Sequence, residues 1–149
     1  MSGSYREAIE RIKALLAAHV PARLVTRSQL DFADRSDEDM DRGVYTILPR
    51  GIEGYDYEAS NHLGLDPPQT ELGAFVFVIT GQQRLPEASL GEAVDDAEFA
   101  MIQELESFAD TGITDDDLKD LLLQRTVMSQ QQEAPYAWVF TEWRLRLFD

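Results

Sequence analysis

Apolar residues recur at spacings of three and four from about residue 4 to 20, at Tyr5, Ala8, Ile9, Ile12, Leu15, Leu16 and His19. That spacing predicts an amphipathic helix, with Ser4 as its N-cap and Pro21 as its stop. The pattern fades from Arg23 to Phe32, where no element is predicted. It then runs into Asp34-Arg35-Ser36-Asp37-Glu38-Asp39-Met40-Asp41, which reads as a solvated acidic loop. β-Branched and aromatic residues cluster at Val44–Leu48, between Gly43 and Pro49, and predict a strand that Ile52 to Tyr57 continues or pairs with. From Glu58 to Thr70 the residues Asn61, Gly64, Asp66, Pro67 and Pro68 predict a long excursion with a task of its own.

Gly73 to Thr80 is apolar on both alternating faces, which predicts a central strand covered from both sides. Residues about 90–109 form a second helical pattern. Val94, Ala97, Met101, Ile102, Leu105 and Phe108 make its inner stripe, with Asp95, Asp96, Glu98, Gln103 and Glu106 mostly facing water. Gly112 ends it. Thr114 to Asp117 resembles a helix start, and Leu118 to Leu123 fits either a helix or a strand. Arg125 to Met128 reads as a strand, Glu133-Ala134-Pro135 as a turn, and Tyr136 to Leu147 as a long terminal strand, giving a C-terminal hairpin. The order lacks the regular strand–helix alternation of a doubly wound sheet. It predicts an α+β fold, a mainly antiparallel sheet packed with two main helices, in a single domain spanning 1–149.

Charge changes the choice of partner. The chain has 13 Lys+Arg against 28 Asp+Glu, a net charge of −15, which repels the phosphate backbone that supplies most nucleic-acid affinity. With 44% hydrophobic residues in 149, there is enough apolar material for a core. The absence of Cys excludes disulfides, thiolate nucleophiles and Cys-ligated metal, and suits a reducing cytosol. Neither a secretory leader nor an apolar run long enough to span a bilayer is evident, so the expectation is a soluble protein without a membrane partner.

Candidate chemistry is sparse. Asp37, Asp39 and Asp41 occupy positions one, three and five of a calcium loop. Arg42 stands at position six, Gly43 follows it, and Leu48 takes position twelve, where a bidentate Glu is needed. Asp115, Asp116 and Asp117 are consecutive, so on a helix they diverge by about 100° each and cannot converge on one ion. His19 and His62 are the only imidazoles. His19 suits the negative end of the first helix, and His62 reads as a surface residue. Gly-rich phosphate loops and nucleophile elbows are absent. No enzyme activity, metal or cofactor is expected.

Tyr136, Trp138, Phe140, Trp143 and Phe148 crowd the C-terminus, and core packing accounts for about half of such a set. Along a strand, Tyr136, Trp138 and Phe140 face oppositely to Ala137 and Val139. Together with the two-sided strand at Phe75 to Ile79, they present more apolar sheet than two helices cover, which points to a partner chain. Tyr136, Trp138, Phe140 and Trp143, with His62 and Asp66 in the long loop, are the candidate interface residues. Asp34, Asp37, Glu38, Asp39 and Asp41 are the candidate exposed acidic surface.

The opening helix, the strand Phe75-Val76-Phe77-Val78-Ile79, the helix with Asp96-Ala97-Glu98 and Met101-Ile102, and the closing Pro135-Tyr136-Ala137-Trp138-Val139 together resemble the tail terminator proteins of long-tailed bacteriophages. The similarity extends over nearly the whole chain in size and element order. It implies a small subunit that forms a six-membered ring on the last ring of the tail tube. There the ring stops tube polymerisation and presents a surface to head-completion proteins of the neck. The implied location is the virion tail, assembled in the host cytoplasm, and DNA passes through without specific binding. The family acts through surfaces, so no residue role is carried over. The alternative is an acidic nucleic-acid mimic that blocks a host DNA-binding factor.

Overall fold

The computed structural model describes residues 5–53, 71–86 and 91–148. Ser4, the predicted continuation of the strand beyond residue 53 to Tyr57, and the whole predicted loop from Glu58 to Thr70 with its His62 and Asp66 lie outside the described residues.

Helix α1 spans Tyr5–His19 and buries Ala8, Ile9, Ile12 and Leu16, the stripe its spacing predicts. Strand β1 (Leu24–Thr26) follows, then helix α2 (Asp37–Arg42), strand β2 (Val44–Glu53) and strand β3 (Glu71–Arg84). Helix α3 spans Gly91–Ser107 and widens into a π turn at Phe108–Gly112. After a 3₁₀ turn at Asp116–Leu118 come β4 (Leu122–Met128) and β5 (Tyr136–Phe148). The segment that fitted either state thus divides, with a short turn first and a strand after it.

The strands form one sheet in the order β1-β2-β3-β5-β4, antiparallel except where β1 runs parallel to β2. β3 and β5 are neighbours, with Phe77 opposite Trp143 and Ile79 opposite Thr141. The α+β fold with a mainly antiparallel sheet and two main helices is therefore present. β3 is central, as its two-sided apolar sequence demands.

α1 and α3 cover one sheet face. Tyr45, Ile47, Phe75, Phe77, Ile79, Ala137, Val139, Trp143 and Leu145 project into that layer and are buried with Met101, Leu105 and Phe108. Trp143 stacks on Phe77 at 6.1 Å and meets the Phe108 edge at 6.0 Å. Its indole N–H donates to Thr141 Oγ1, whose hydroxyl donates to the Ile79 carbonyl, both at 2.7 Å. Every polar group of this tryptophan is satisfied inside, so its place among the candidate interface residues is corrected: Trp143 is core.

The opposite face has a different cover. Residues 27–36 cross it as a strap. Gln29 accepts from the Thr80 hydroxyl, the Leu30 carbonyl from Gln82 Nε2, and Phe32 stacks on Tyr136 at 4.6 Å. Further along, the ion pairs Arg50–Glu142 and Glu53–Arg144 join β2 to β5 across β3, with Val76 and Val78 between them. Long charged side chains thus shield apolar sheet, which a helix would do elsewhere.

The acidic run is not a loop. Ser36 caps α2 by accepting from the Asp39 N–H at 3.2 Å, and Met40 is buried. The sequence carries this signal as a capping Ser followed by acids, but the density of charge hides it. Gly43 ends the helix at φ +90°, where an added Cβ would stand 2.1 Å from Arg23 Nη1.

Gly81 is the tightest point of the helix–sheet contact. A Cβ there would meet Met101 Sδ at 2.8 Å and Val139 Cγ2 at 2.9 Å. Gly81→Ala is expected to lower stability by about 1–3 kcal/mol through overpacking. Urea unfolding measures it, with the midpoint falling and the slope unchanged.

Candidate interface surface

Tyr136, Trp138 and Phe140 lie on the sheet face away from the helices, half-buried, as alternation along β5 predicts. Phe140 stands opposite Val127 of β4, and Leu122 at the far end of β4 is 58% exposed. β4 pairs only with β5 among the described residues, so its outer edge is an open strand edge next to this apolar surface. The candidate aromatics thus separate into one core residue and three surface-facing residues.

The acidic candidates divide as well. Asp34 sits in a 3₁₀ turn and Glu38 on α2, both exposed. Asp37 and Asp41, one helical turn apart, both bind Arg84 at the end of β3, the first at 2.7 Å and the second through two bonds of 2.8 and 3.0 Å. These carboxylates anchor α2 to the sheet. The hydrogen bonds from Arg84 hold the Asp41 carboxyl below its ordinary range, aided by the guanidinium charge and opposed by desolvation.

Glu98 is the residue that sequence reading misplaced. Its place among the acids of α3 predicts a residue facing water, yet it is fully buried. Its carboxylate accepts from the Ser129 N–H and the Trp138 N–H, both at 3.0 Å, and from the Ser129 hydroxyl. No cation pairs with it among the described residues. Three donors from the β4–β5 hairpin replace solvent, which is what a buried carboxylate requires. Helical periodicity could have found it, because Glu98 shares a stripe with Val94, Met101 and Leu105.

A second polar cluster joins β1, β2 and α3. Arg23 holds Glu104 through two bonds of 2.6 and 2.9 Å and lies over the Tyr45 ring at 5.5 Å. The Tyr45 hydroxyl donates to Glu104 at 2.8 Å, and burial pushes that phenol far above its usual value. All three groups satisfy one another, so the cluster is a brace.

Reactive arrangements are few. His19 Nε2 lies 3.1 Å from Ser107 Oγ, with the ring 5.8 Å from Phe108, but no carboxylate orients the imidazole among the hydrogen bonds of the described residues. Among the described residues no group of three or more His, Cys, Asp or Glu is placed to hold a metal ion. Among the described residues no helix is long and apolar enough to cross a membrane.

Two outcomes follow. Glu98→Ala is expected to cost about 3 kcal/mol or more, since it strands three donors, each worth about 1–3 kcal/mol when buried and unpaired. Denaturant titration measures this, and Glu98→Gln should recover part of the loss. The lowered Asp41 value means that its pairing stabilises the fold above the ordinary carboxylate range and is lost as pH falls through the lowered value. NMR titration of the Asp41 carboxyl carbon should show the lowered midpoint, and Arg84→Gln should return it to the ordinary range.

Comparison with protein-family models and with curated proteins finds no match to this chain.

Proposed function

We propose that this protein is a tail-terminator-like structural subunit of a long-tailed bacteriophage. It forms a six-membered ring on the end of the tail tube, stops tube polymerisation and offers a surface to the head-completion proteins. It performs no enzymatic turnover and needs no cofactor. DNA passes the ring without specific binding, and the ring assembles in the host cytoplasm to become part of the virion tail.

The observation that carries this reading is the surface at the β5–β4 end of the sheet. Trp138, Phe140 and Leu122 stand beside an open strand edge, on the face that neither helix covers. An apolar surface at a sheet edge suits lateral contact between copies in a closed ring. The helix–strands–helix–hairpin order supports it further. The nucleic-acid mimic draws less support, because Asp37, Asp39, Asp41, Asp115, Asp117 and Glu104 are engaged by arginines of the same chain. Phosphate mimicry needs such carboxylates free.

A net charge of −15 per subunit makes assembly self-repelling, and salt screens that repulsion. The excess carboxylate also gives a lumen that does not hold DNA phosphates. Sedimentation and native mass measurements should therefore show hexamers that strengthen at moderate salt. Trp138→Ala should weaken assembly by about 2 kcal/mol, roughly 30-fold, while leaving a folded subunit. A monomer at high concentration under every salt condition, with tail tubes present, overturns the ring.

A further inference from the structure

The strap and the sheet beneath it bound a groove on the far face of the sheet, and its Trp138 and Phe140 also belong to the surface proposed for ring contact. Among the described residues it is lined by Gln29, Phe32, Thr80, Gln82, Trp138 and Phe140, and its volume is about 250 Å³. Small-molecule sites run to about 300–1,000 Å³, so this space suits one long side chain. Three of these six side chains are aromatic, and Tyr136 backs the Phe32 ring.

Gln82 supplies the polar feature. It is 6% exposed, its Nε2 donates to the Leu30 carbonyl at 3.2 Å, and its Oε1 has no hydrogen-bond partner. A buried amide oxygen without a donor is costly, and an incoming N–H would satisfy it. Charge selects the kind of donor. The chain carries −15, and the exposed Asp31 and Asp34 flank Phe32 in sequence. Aromatic faces in a negative field attract a cation, and a planar guanidinium both stacks and donates. The protein uses the same chemistry internally, where Arg23 lies over Tyr45.

We infer that this groove captures an exposed arginine side chain of a partner protein, with the guanidinium against the rings of Phe32 and Trp138 and an N–H donated to Gln82 Oε1. The site shares Trp138 and Phe140 with the proposed ring contact, so it is tested on the chain at a concentration where sedimentation shows a monomer, and its failure there leaves the ring reading untouched.

The probe is N-acetyl-arginine amide, compared with the uncharged N-acetyl-citrulline amide of the same shape and with N-acetyl-leucine amide. The indole N–H resonance of Trp138, assigned by its loss in Trp138→Leu, reports binding. The arginine derivative should shift this resonance saturably, and the citrulline derivative should bind at least about tenfold more weakly. Gln82→Met, which keeps side-chain length and removes the acceptor, should weaken arginine binding about fivefold, as should Phe32→Leu. Equal or tighter binding of the citrulline or leucine derivative overturns the proposal, as does no shift with arginine up to about 100 mM. Unchanged arginine binding in folded Gln82→Met and Phe32→Leu also overturns it. The three-ligand comparison on the unmodified chain decides the matter even where a variant fails to fold.

Discussion

Glu98 brings a carboxylate into the core with no solvent contact, and the hairpin provides what water would have supplied. Two backbone N–H groups and one hydroxyl converge on it from Ser129 and Trp138. These bonds fix the height of α3 over the sheet and the place where the β4–β5 connection leaves it. Gln130 and Gln131, directly after Ser129, hold positive φ values of 58° and 63°, a conformation that side chains other than Gly adopt at a cost. Anchored turns on both sides, by Glu98 at Ser129 and by Asp95 at the Gln131 amide, hold that conformation in place. Trp138 therefore enters β5 with its backbone already tied to the helix, and its ring is committed to the far face.

That commitment makes the two faces of the sheet unlike. Toward the helices, aromatic and aliphatic side chains interdigitate around Trp143, and close approach at Gly81 leaves no room for another methyl. On the far face, a strap held by polar bonds and the Phe32–Tyr136 stack, together with two cross-strand ion pairs, replaces a helical layer. Of the four buried polar atoms left without partners among the described residues, Arg27 Nε and Arg35 Nε belong to the strap and Gln82 Oε1 lies beneath it. A cover so incompletely satisfied is poorly suited to sealing a core and well suited to framing a binding groove.

Arginine organises the electrostatics. In a chain with excess carboxylate, each of Arg11, Arg23, Arg50, Arg84 and Arg144 ties together elements far apart in sequence. The exposed pairs contribute little singly. Their placement matters more, because they hold α2 on β3, α3 on the bend that leads into β1, and the outer face of the central strand under cover. Charge that would otherwise drive these elements apart is partly neutralised where the fold needs close contact.

Periodicity by itself determined α1, α3, the central position of β3, the terminal hairpin and the α+β class, because burying an amphipathic stripe or a two-sided strand leaves few architectures. It also separated Tyr136, Trp138 and Phe140 from Ala137 and Val139, since pleating permits no other arrangement. Only the tertiary structure decided that Trp143 is core, because its role depends on Phe77, Phe108 and Thr141 meeting it. The same holds for the acidic run, which is a capped helix held by an arginine some forty residues away, and for Glu98, whose donors come from a hairpin. Polar residues at buried positions take their meaning from partners distant in sequence, and local pattern carries no record of those partners.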